Sequence, residues 1–230
     1  MIDWHSHVLP QMDDGSRSLE ESLKMLSALS EQGISSVVAT PHFYANEDSV
    51  ESFLKRRAES FENLSACLTD AHPRVLRGAE VEYYSGIAKL KDLRLLAIEK
   101  TNLLLLEMPI SKWSDTMANE IVELSAVRGF TIVIAHVERC LSLQSKAVLN
   151  KLLSNGILMQ VNASFFRGFL DGRKAIGLLK SGVVHFIGSD CHNTTSRPPR
   201  IDTAYALIRK KLGESFIRQM NSYGHKLLGD

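Results

Sequence analysis

Residues 131–136 read Thr-Ile-Val-Ile-Ala-His, an apolar and largely β-branched run that ends directly before a histidine. β-branched residues favour extended strands, and a continuous apolar run predicts a strand that is buried on both faces. Six other short apolar runs have the same character, and longer stretches with helical spacing separate them. Strands are predicted at residues 2–5, 35–39, 74–81, 103–107, 131–135, 157–161 and 183–188.

The segments between these runs predict helices. Residues 19–32 carry leucines at helical spacing, and Ser18 with Glu21 has the capping-box pattern that begins a helix. The remaining segments show the same periodicity with less distinct ends. Further helices are predicted at residues 47–71, 114–128, 143–155, 172–181, 201–211 and 214–228.

Alternating strands and helices with buried strands predict parallel pairing, in either a closed barrel or an open doubly wound sheet. Histidines and carboxylates follow nearly every predicted strand, at the edge where both architectures place their active sites. Side chains from so many successive strands converge if the sheet closes around them, whereas the two ends of an open sheet lie too far apart. We therefore predict an α/β barrel that forms a single domain over residues 1–230.

The composition excludes several functional classes. Lys and Arg number 27 against 26 Asp and Glu, so the formal charge of +1 offers no global field for nucleic acid or an acidic membrane. The longest apolar run, around residues 103–106, is far shorter than the roughly 20 residues that cross a bilayer. The first residues lack a signal-peptide pattern, and three cysteines without C-x-x-C spacing indicate reduced thiols. We expect a cytoplasmic protein that binds no nucleic acid and does not insert into a membrane.

Two pairs of potential metal ligands stand at i, i+2 spacing directly after predicted strands. They are His5 with His7 and Asp190 with His192. In an extended segment, residues two apart point to the same side, so both members of a pair can reach one cation. The first pair alone is better explained by polar residues at a loop mouth. The second pair, together with His42 and His136 after two further strands, makes a metal site the better interpretation.

Other histidines and carboxylates recur after successive strands, which argues against a chance arrangement. Nine such side chains are too many for one ion and enough for two or three ions if one carboxylate bridges. Three dications would exceed the charge of the four carboxylates by about two, which suits a phosphate dianion. Imidazole and carboxylate ligands without thiolate favour Mn²⁺, Fe²⁺ or Zn²⁺ over Ca²⁺ alone. The predicted ligands are His5, His7, Asp14, His42, Glu80, Glu107, His136, Asp190 and His192.

Eight short motifs hold these polar residues: MIDWHSH at 1–7, MDDG at 12–15, TPH at 40–42, GAE at 78–80, IAHVER at 134–139, QVNAS at 160–164, SDCHN at 189–193 and RPP at 197–199. Together they resemble the polymerase and histidinol phosphatase (PHP) superfamily, and more narrowly the bacterial tyrosine-protein phosphatases of the CpsB, CapC and YwqE type. The resemblance extends over residues 1 to about 210. It implies a distorted (β/α)₇ barrel, similar to a TIM barrel, that holds three metal ions.

The resemblance also implies roles for individual residues. The ions would be manganese, with Fe²⁺ or Zn²⁺ as alternatives, and Asp13 ranks second to Asp14 as a ligand. Arg139 and Arg197 match the phosphate-contacting arginines, although Arg139 has a surface acid, Glu138, as an alternative partner. Three ligand groups are implied, of which the first two share Glu80: His5, His7, Glu80 and Asp190; Glu80, Glu107 and His136; and Asp14, His42 and His192.

The expected reaction is hydrolysis of phosphotyrosine in a protein. Metal ions lower the pKa of water from about 15.7 toward 7 and so provide hydroxide, while arginine holds the phosphoryl oxygens with its planar set of donors. A tyrosyl leaving group has a pKa near 10 and departs as phenolate with little protonation, so a site without a strong general acid favours aryl phosphates. The resemblance implies that the substrate is a bacterial tyrosine kinase of capsular or exopolysaccharide synthesis.

Other functions stay open on the sequence. A PHP-type small-molecule phosphatase, such as histidinol phosphatase, or a PHP nuclease would use the same ligands, and a nuclease should also have a basic track with stacking aromatics. Residues 191–197 have the C-x₅-R spacing of cysteine-dependent phosphatases, but the loop lacks glycine, and Pro198 and Pro199 follow it. A non-catalytic metal-binding module would be marked by lost ligands, and none is lost.

Five aromatic residues fall in loops beside the predicted ligands. Aromatic rings at that place suit the wall of a phosphotyrosine pocket, and packing beneath the loops explains them equally well. The residues are Phe43, Tyr44, Phe165, Phe166 and Phe169.

Overall fold

The strands form from the short apolar runs of the sequence. In Leu103–Glu107, the four leucines are all buried, and the other strands are buried in the same way along most of their length. A computed structural model of the protein, which describes residues 1–229, contains nine strands. They are β1 (Ile2–Ser6), β2 (Ser36–Ala39), β3 (His42–Phe43), β4 (Arg74–Arg77), β5 (Glu80–Glu82), β6 (Leu103–Glu107), β7 (Thr131–Ile134), β8 (Leu158–Asn162) and β9 (Phe186–Gly188).

All strand pairs are parallel, in the orders β1-β2-β4 and β3-β5-β6-β7-β8-β9. Because β3 follows β2, and β5 follows β4, after two residues each, the nine strands occupy seven positions around the sheet. The curled sheet closes between its first and last strands, where the His7 N–H donates to the Cys191 carbonyl at 2.9 Å and the Asp190 N–H to the His5 carbonyl at 2.8 Å. The prediction of a distorted (β/α)₇ barrel is confirmed.

The third predicted strand, at 74–81, is interrupted in the structure. Pro41 has no N–H to continue the ladder of the neighbouring strand, and the chain resumes its pairing at His42, whose partner is Glu80. Glu80 therefore begins β5 instead of ending a long strand, and His42 begins β3 instead of following β2. Both changes bring the two side chains to adjacent strands at the carboxyl end of the barrel.

Seven helices surround the sheet in the predicted order. The second is shorter than predicted, because Ser49 caps its start and the helix ends at Ser65. The capping box predicted at Ser18 is half formed, since the Glu21 carboxylate accepts from the Arg17 N–H instead. The helices are α1 (Leu19–Glu31), α2 (Val50–Ser65), α3 (Asp115–Ala126), α4 (Lys146–Ser154), α5 (Phe169–Lys180), α6 (Asp202–Leu212) and α7 (Glu214–Leu228).

Apolar side chains fill the lower part of the barrel and polar ones its carboxyl end. Along β6, Leu103 and Leu105 belong to an apolar cluster with members from β1, β2, β4, β7, β8 and β9. Residues two apart in a strand share a face, so Glu107 points the same way above them. The helix α7 packs against this cluster, where Tyr223 stacks on Phe186 with ring centroids 6.0 Å apart. No helix within residues 1–229 combines the length and apolar character that crossing a bilayer requires.

Candidate metal centre

Glu80 lies at the centre of the polar end of the barrel and is 1% exposed. Its Oε2 atom is 3.0 Å from His5 Nε2, 3.1 Å from His42 Nδ1 and 3.4 Å from His7 Nε2, and its Oε1 atom is 2.7 Å from His136 Nε2. Burial opposes the charged carboxylate, but the surrounding imidazoles outweigh it and hold the pKa of Glu80 well below its usual range. One carboxylate is therefore shared among four histidines, which lie in or just after β1, β3 and β7.

The other eight predicted ligands lie around this carboxylate. The ligand atoms of all nine form four overlapping groups, and within each group the atoms lie within 4.8 Å of one another. Their identity as metal ligands stays a prediction. The groups are His7, Asp14, His42 and His192; His5, His7 and Asp190; His5, Glu80 and His136; and His42, Glu80 and Glu107.

The orientation of the imidazoles fits divalent cations. His42 Nδ1 and His192 Nε2 are buried without a hydrogen-bond partner among the described residues, and His42 Nδ1 approaches the Glu80 carboxylate at 3.1 Å without hydrogen-bond geometry. A buried polar atom in that state costs about 1–3 kcal/mol, which coordination to a cation would relieve. His5 Nε2 and His7 Nε2 also converge to 3.1 Å, as two nitrogens do when they face one ion. Imidazole with carboxylate suits Mn²⁺, Fe²⁺ or Zn²⁺.

Asp13 and Asp14 are neighbours with different surroundings. Asp14 is 66% exposed and faces His42 and His192, whereas the Asp13 Oδ2 atom accepts from His7 Nδ1 at 2.7 Å and from the His42 N–H at 2.9 Å. Since His7 Nδ1 donates to Asp13, its Nε2 lone pair faces the centre. Asp13 is thus placed to orient a ligand rather than to be one. The sequence alone does not assign this role, because both carboxylates follow the same motif.

Gln160 orients two more histidines. Its Oε1 atom accepts from the His136 N–H at 2.8 Å and lies 3.3 Å from His5 Nδ1, while its Nε2 atom donates to Asn162 Oδ1 at 3.0 Å. Asn162 in turn donates to Asp190 Oδ2 at 2.7 Å. The QVNAS motif at 160–164 does not by itself assign a role to these amides. Their signal is their spacing, because Gln160 and Asn162 are two apart in β8 and point into the barrel together.

The loop before α1 packs closely against His7, and this packing requires glycine at position 15. A Cβ atom on Gly15 would lie 2.5 Å from both the Cβ and the carbonyl oxygen of His7. The Ser16 N–H donates to the same carbonyl at 3.1 Å, and the Gly15 N–H donates to Asp13 Oδ1 at 2.9 Å. Gly15 therefore lets the loop that carries both aspartates close over His7.

Carboxylates also shift the pKa values of the histidines. Burial opposes protonation of His7, but the hydrogen bonds to Asp13 and Glu80 outweigh it and raise its pKa to about 10. At His136, burial is likewise outweighed by hydrogen bonds to Glu107 and Glu80, and its pKa rises to about 9. Protons and divalent cations therefore compete for these nitrogens, and binding a cation releases protons.

Arg139 and Arg197 lie at the rim of the centre. Arg139 Nη2 donates to Asp190 Oδ2 at 2.5 Å, and Arg197 Nη2 donates to Asp190 Oδ1 at 2.9 Å. They are 34% and 41% exposed, so both guanidinium groups remain partly open to solvent. The alternative partner of Arg139, Glu138, instead accepts from the Asn162 N–H. A phosphoryl group bound beside Asp190 would therefore lie close to both guanidinium groups.

The structure argues against the cysteine mechanism. Cys191 is fully buried, and burial raises the pKa of its thiol far above its usual range. A nucleophilic cysteine requires an accessible thiolate with a lowered pKa. The C-x₅-R spacing is therefore a coincidence of sequence in this fold.

The five aromatic residues near the ligands divide between both interpretations. Phe43 and Phe166 are buried and Phe165 is half-buried, whereas Phe169 is exposed. Tyr44 stacks on His42, with ring centroids 5.2 Å apart and planes at 18°. It also lines a cleft of about 540 Å³ that includes Asp13, Asp14, His42 and Arg56. Of these five aromatic residues, Tyr44 is the one that lines this cleft.

Several known proteins resemble the chain over nearly its whole length. The family model for capsular polysaccharide synthesis proteins of the CpsB/CapC type matches residues 1–227. The tyrosine-protein phosphatase CpsB of Streptococcus agalactiae serotype III is 32% identical over 242 residues, which cover 96% of this chain and 94% of that protein. The tyrosine-protein phosphatase YwqE of Bacillus subtilis is 27% identical over 236 residues, which cover 99% and 91%.

Solved structures agree with these matches. A crystal structure from the pair YwqE of Bacillus subtilis and CpsB of Streptococcus pneumoniae, described as unique metal-dependent tyrosine phosphatases, has a TM-score of 0.83 at 25% identity and covers 99% of this chain and 94% of its own. Histidinol phosphate phosphatase of Lactococcus lactis, solved with zinc, L-histidinol and phosphate, has a TM-score of 0.57 at 16% identity, covering 91% and 92%. That second likeness extends to the fold alone.

Proposed function

Because the chain belongs to the CpsB/CapC family of capsular polysaccharide synthesis proteins, we propose that it is a metal-dependent protein-tyrosine phosphatase. The observation that carries this proposal is the convergence of nine imidazole and carboxylate side chains beside two arginines at the carboxyl end of the barrel. We propose further that its substrate is a phosphorylated bacterial tyrosine kinase of capsular or exopolysaccharide synthesis.

Three divalent ions, most naturally Mn²⁺, fit the four overlapping ligand groups. His5, His7, Asp190 and Glu80 would hold the first ion. Glu80 would also contribute to a second ion, together with Glu107 and His136. Asp14, His42 and His192 would hold the third. When bound, such ions polarise the phosphoryl group and lower the pKa of water toward neutrality.

The chain's own residues orient the substrate and the ligands. Arg139 and Arg197 bind the phosphoryl oxygens with charge-assisted hydrogen bonds, and their contacts to Asp190 hold both guanidinium groups at the rim. Asp13 and Gln160 fix the imidazole tautomers through Nδ1, so that each Nε2 faces inward. The leaving phenolate, with a pKa near 10, departs with little protonation, whereas an alkoxide needs a proton donor.

A comparison of three substrates tests the proposal. Hydrolysis of a phosphotyrosine peptide, a phosphoserine peptide and histidinol phosphate is measured with chelator and with added Mn²⁺. We expect phosphotyrosine to be hydrolysed fastest, only with metal, and Cys191→Ser to retain activity because the thiol is buried. Preference for histidinol phosphate would instead indicate a small-molecule phosphatase, and activity that survives complete metal removal but is lost in Cys191→Ser would refute the metal mechanism.

A further inference from the structure

Two large apolar side chains are exposed at the start of α5. Phe169 is 86% exposed and Leu170 is 74% exposed. A single exposed apolar residue is common, but two adjacent large ones beside an apolar groove are typical of a binding surface. The folding of this chain alone does not explain why these two side chains are exposed.

A groove of about 580 Å³ lies directly beside Phe169. Phe166, Ile176 and Leu207 supply the rest of its apolar lining. The groove depends on the close approach of α5 to the chain before it, because a Cβ atom on Gly172 would lie 2.9 Å from both Leu207 Cδ2 and the Phe166 carbonyl oxygen. The surface is thus a built feature of two helices and the preceding turn.

The charged side chains that line this groove are basic, and Asp171 lies at its edge beside Gly168. Arg167, Arg173 and Lys211 line it, and no carboxylate does among the described residues. The chain as a whole carries a formal charge of only +1, so the positive character is local. Arginine and aromatic residues are enriched in protein interfaces, and complementary charge selects the partner. The chemistry of this surface therefore fits an acidic segment that carries leucine or phenylalanine side chains.

The groove lies within reach of the metal centre along the chain. Arg167 also lines a second groove with Thr194 and Pro198, which flank Arg197. On the N-terminal side of α5, the preceding turn begins directly after Asn162, and Asn162 donates a hydrogen bond to Asp190. Phe169 is seven positions after Asn162, so the two are at most about 25 Å apart, a span that an extended substrate of about eight residues covers.

We propose that the α5 surface, defined as Arg167, Phe169, Leu170, Arg173 and Lys211, docks an acidic and apolar segment of the phosphorylated substrate protein. This inference rests on the proposed phosphatase function and adds a recognition site outside the metal centre. The docked segment lies a few residues from the phosphotyrosine in the same polypeptide. Its binding energy lowers KM for protein substrates and does not affect small aryl phosphates, which cannot reach the groove.

The test uses two phosphotyrosine peptides of equal length, each with about eight residues on both sides of the phosphotyrosine. One has Glu and Leu flanks and the other Ser and Gly flanks, and p-nitrophenyl phosphate is the small substrate. We expect a KM about 10- to 30-fold lower for the Glu/Leu peptide, since hot-spot side chains contribute that much. The double variant Phe169→Ser/Leu170→Ser and the variant Arg173→Glu should each lose most of this preference.

The control is Val127→Ser, because Val127 is also 74% exposed but lies at the end of α3. It should keep the peptide preference, and all variants should hydrolyse p-nitrophenyl phosphate within about twofold of the parent chain, as surface substitutions do. Equal KM values for the two peptides in the parent, a preference retained in the variants, or an equal loss on p-nitrophenyl phosphate would overturn the proposal.

Two further measurements separate docking from other outcomes. If the parent chain hydrolyses none of the three substrates, the proposed function fails, and fluorescence anisotropy with an unphosphorylated, fluorescein-labelled Glu/Leu peptide still tests docking alone. Binding that Arg173→Glu weakens would support the docking surface, and absence of binding would overturn it. A dimer in sedimentation velocity that Phe169→Ser/Leu170→Ser dissociates would assign the surface to a second copy and so refute substrate docking.

Discussion

Replacement of Asp13 by Asn isolates the contribution of one orienting carboxylate. The side chain is 8% exposed and accepts from His7 Nδ1 at 2.7 Å and from the His42 N–H at 2.9 Å. Asn has nearly the same shape but no charge, so it weakens the bond that fixes the His7 tautomer without opening a cavity. Loss of such an orienting partner typically lowers metal affinity or activity about 10- to 100-fold, which corresponds to about 1.4–2.7 kcal/mol.

Two readouts distinguish orientation from direct coordination. Mn²⁺ affinity is measured by competition with a chelator, and kcat/KM for a phosphotyrosine peptide is measured at rising Mn²⁺. Because Asp13 acts through His7, saturating Mn²⁺ should restore most of the activity in Asp13→Asn. The matched control is Asp48→Asn, since Asp48 lines the same cleft but pairs with Arg56. Unchanged Mn²⁺ affinity in Asp13→Asn, or an equal loss in Asp48→Asn, would refute the reasoning.

Three further predictions concern charge and protonation. Glu80→Gln should lose at least one bound ion together with activity, because this carboxylate contacts four imidazoles. Metal analysis and peptide hydrolysis measure the two losses, and full metal occupancy in the variant would count against the shared role of Glu80. Arg197→Lys should raise KM for the peptide about 10-fold or more, since lysine cannot reproduce the planar pair of donors, and an unchanged KM would remove Arg197 from substrate binding. His185 Nδ1 accepts from the Met159 N–H at 3.1 Å, and burial lowers the pKa of His185 below 6.5. The native state therefore binds fewer protons than the unfolded chain. As a result, the free energy of unfolding falls as pH drops below 6.5, by up to about 1.4 kcal/mol per pH unit. In urea unfolding between pH 7.5 and 5.5, His185→Gln should show a smaller decline than the parent, and identical slopes would contradict this assignment.

The barrel and the set of candidate ligands could be predicted because both depend on local patterns. An apolar run followed by a histidine, as at residues 131–136, specifies a buried strand and a polar residue at its carboxyl end at the same time. Repetition of this pattern implies convergence once the sheet closes. The closure itself depends on two hydrogen bonds between the first and last strands, at His7 and Asp190, that no local pattern contains.

The details that the sequence left open depend on tertiary contacts. Asp13 and Asp14 are adjacent carboxylates, and only the approach of His7 and the His42 N–H separates their roles. Likewise, the interruption before Glu80 follows from pairing with a neighbouring segment in which Pro41 separates β2 from β3. Glu80 therefore begins β5. The exposure of Phe169 is a third detail of this kind. Helical periodicity predicted that α5 begins at residue 172, whereas the helix begins at Phe169 and leaves this side chain exposed.

The central claim is that the clustered imidazoles and carboxylates hold the metal ions required for hydrolysis. The most direct test is to measure metal content and phosphotyrosine hydrolysis together while the protein is stripped with chelator and reloaded with Mn²⁺. We predict that activity falls to background in the metal-free protein and returns as occupancy approaches three ions per chain, with Glu80→Gln failing to recover. Full activity in protein shown to be free of metal, or reloading that leaves these residues unoccupied, would contradict the account.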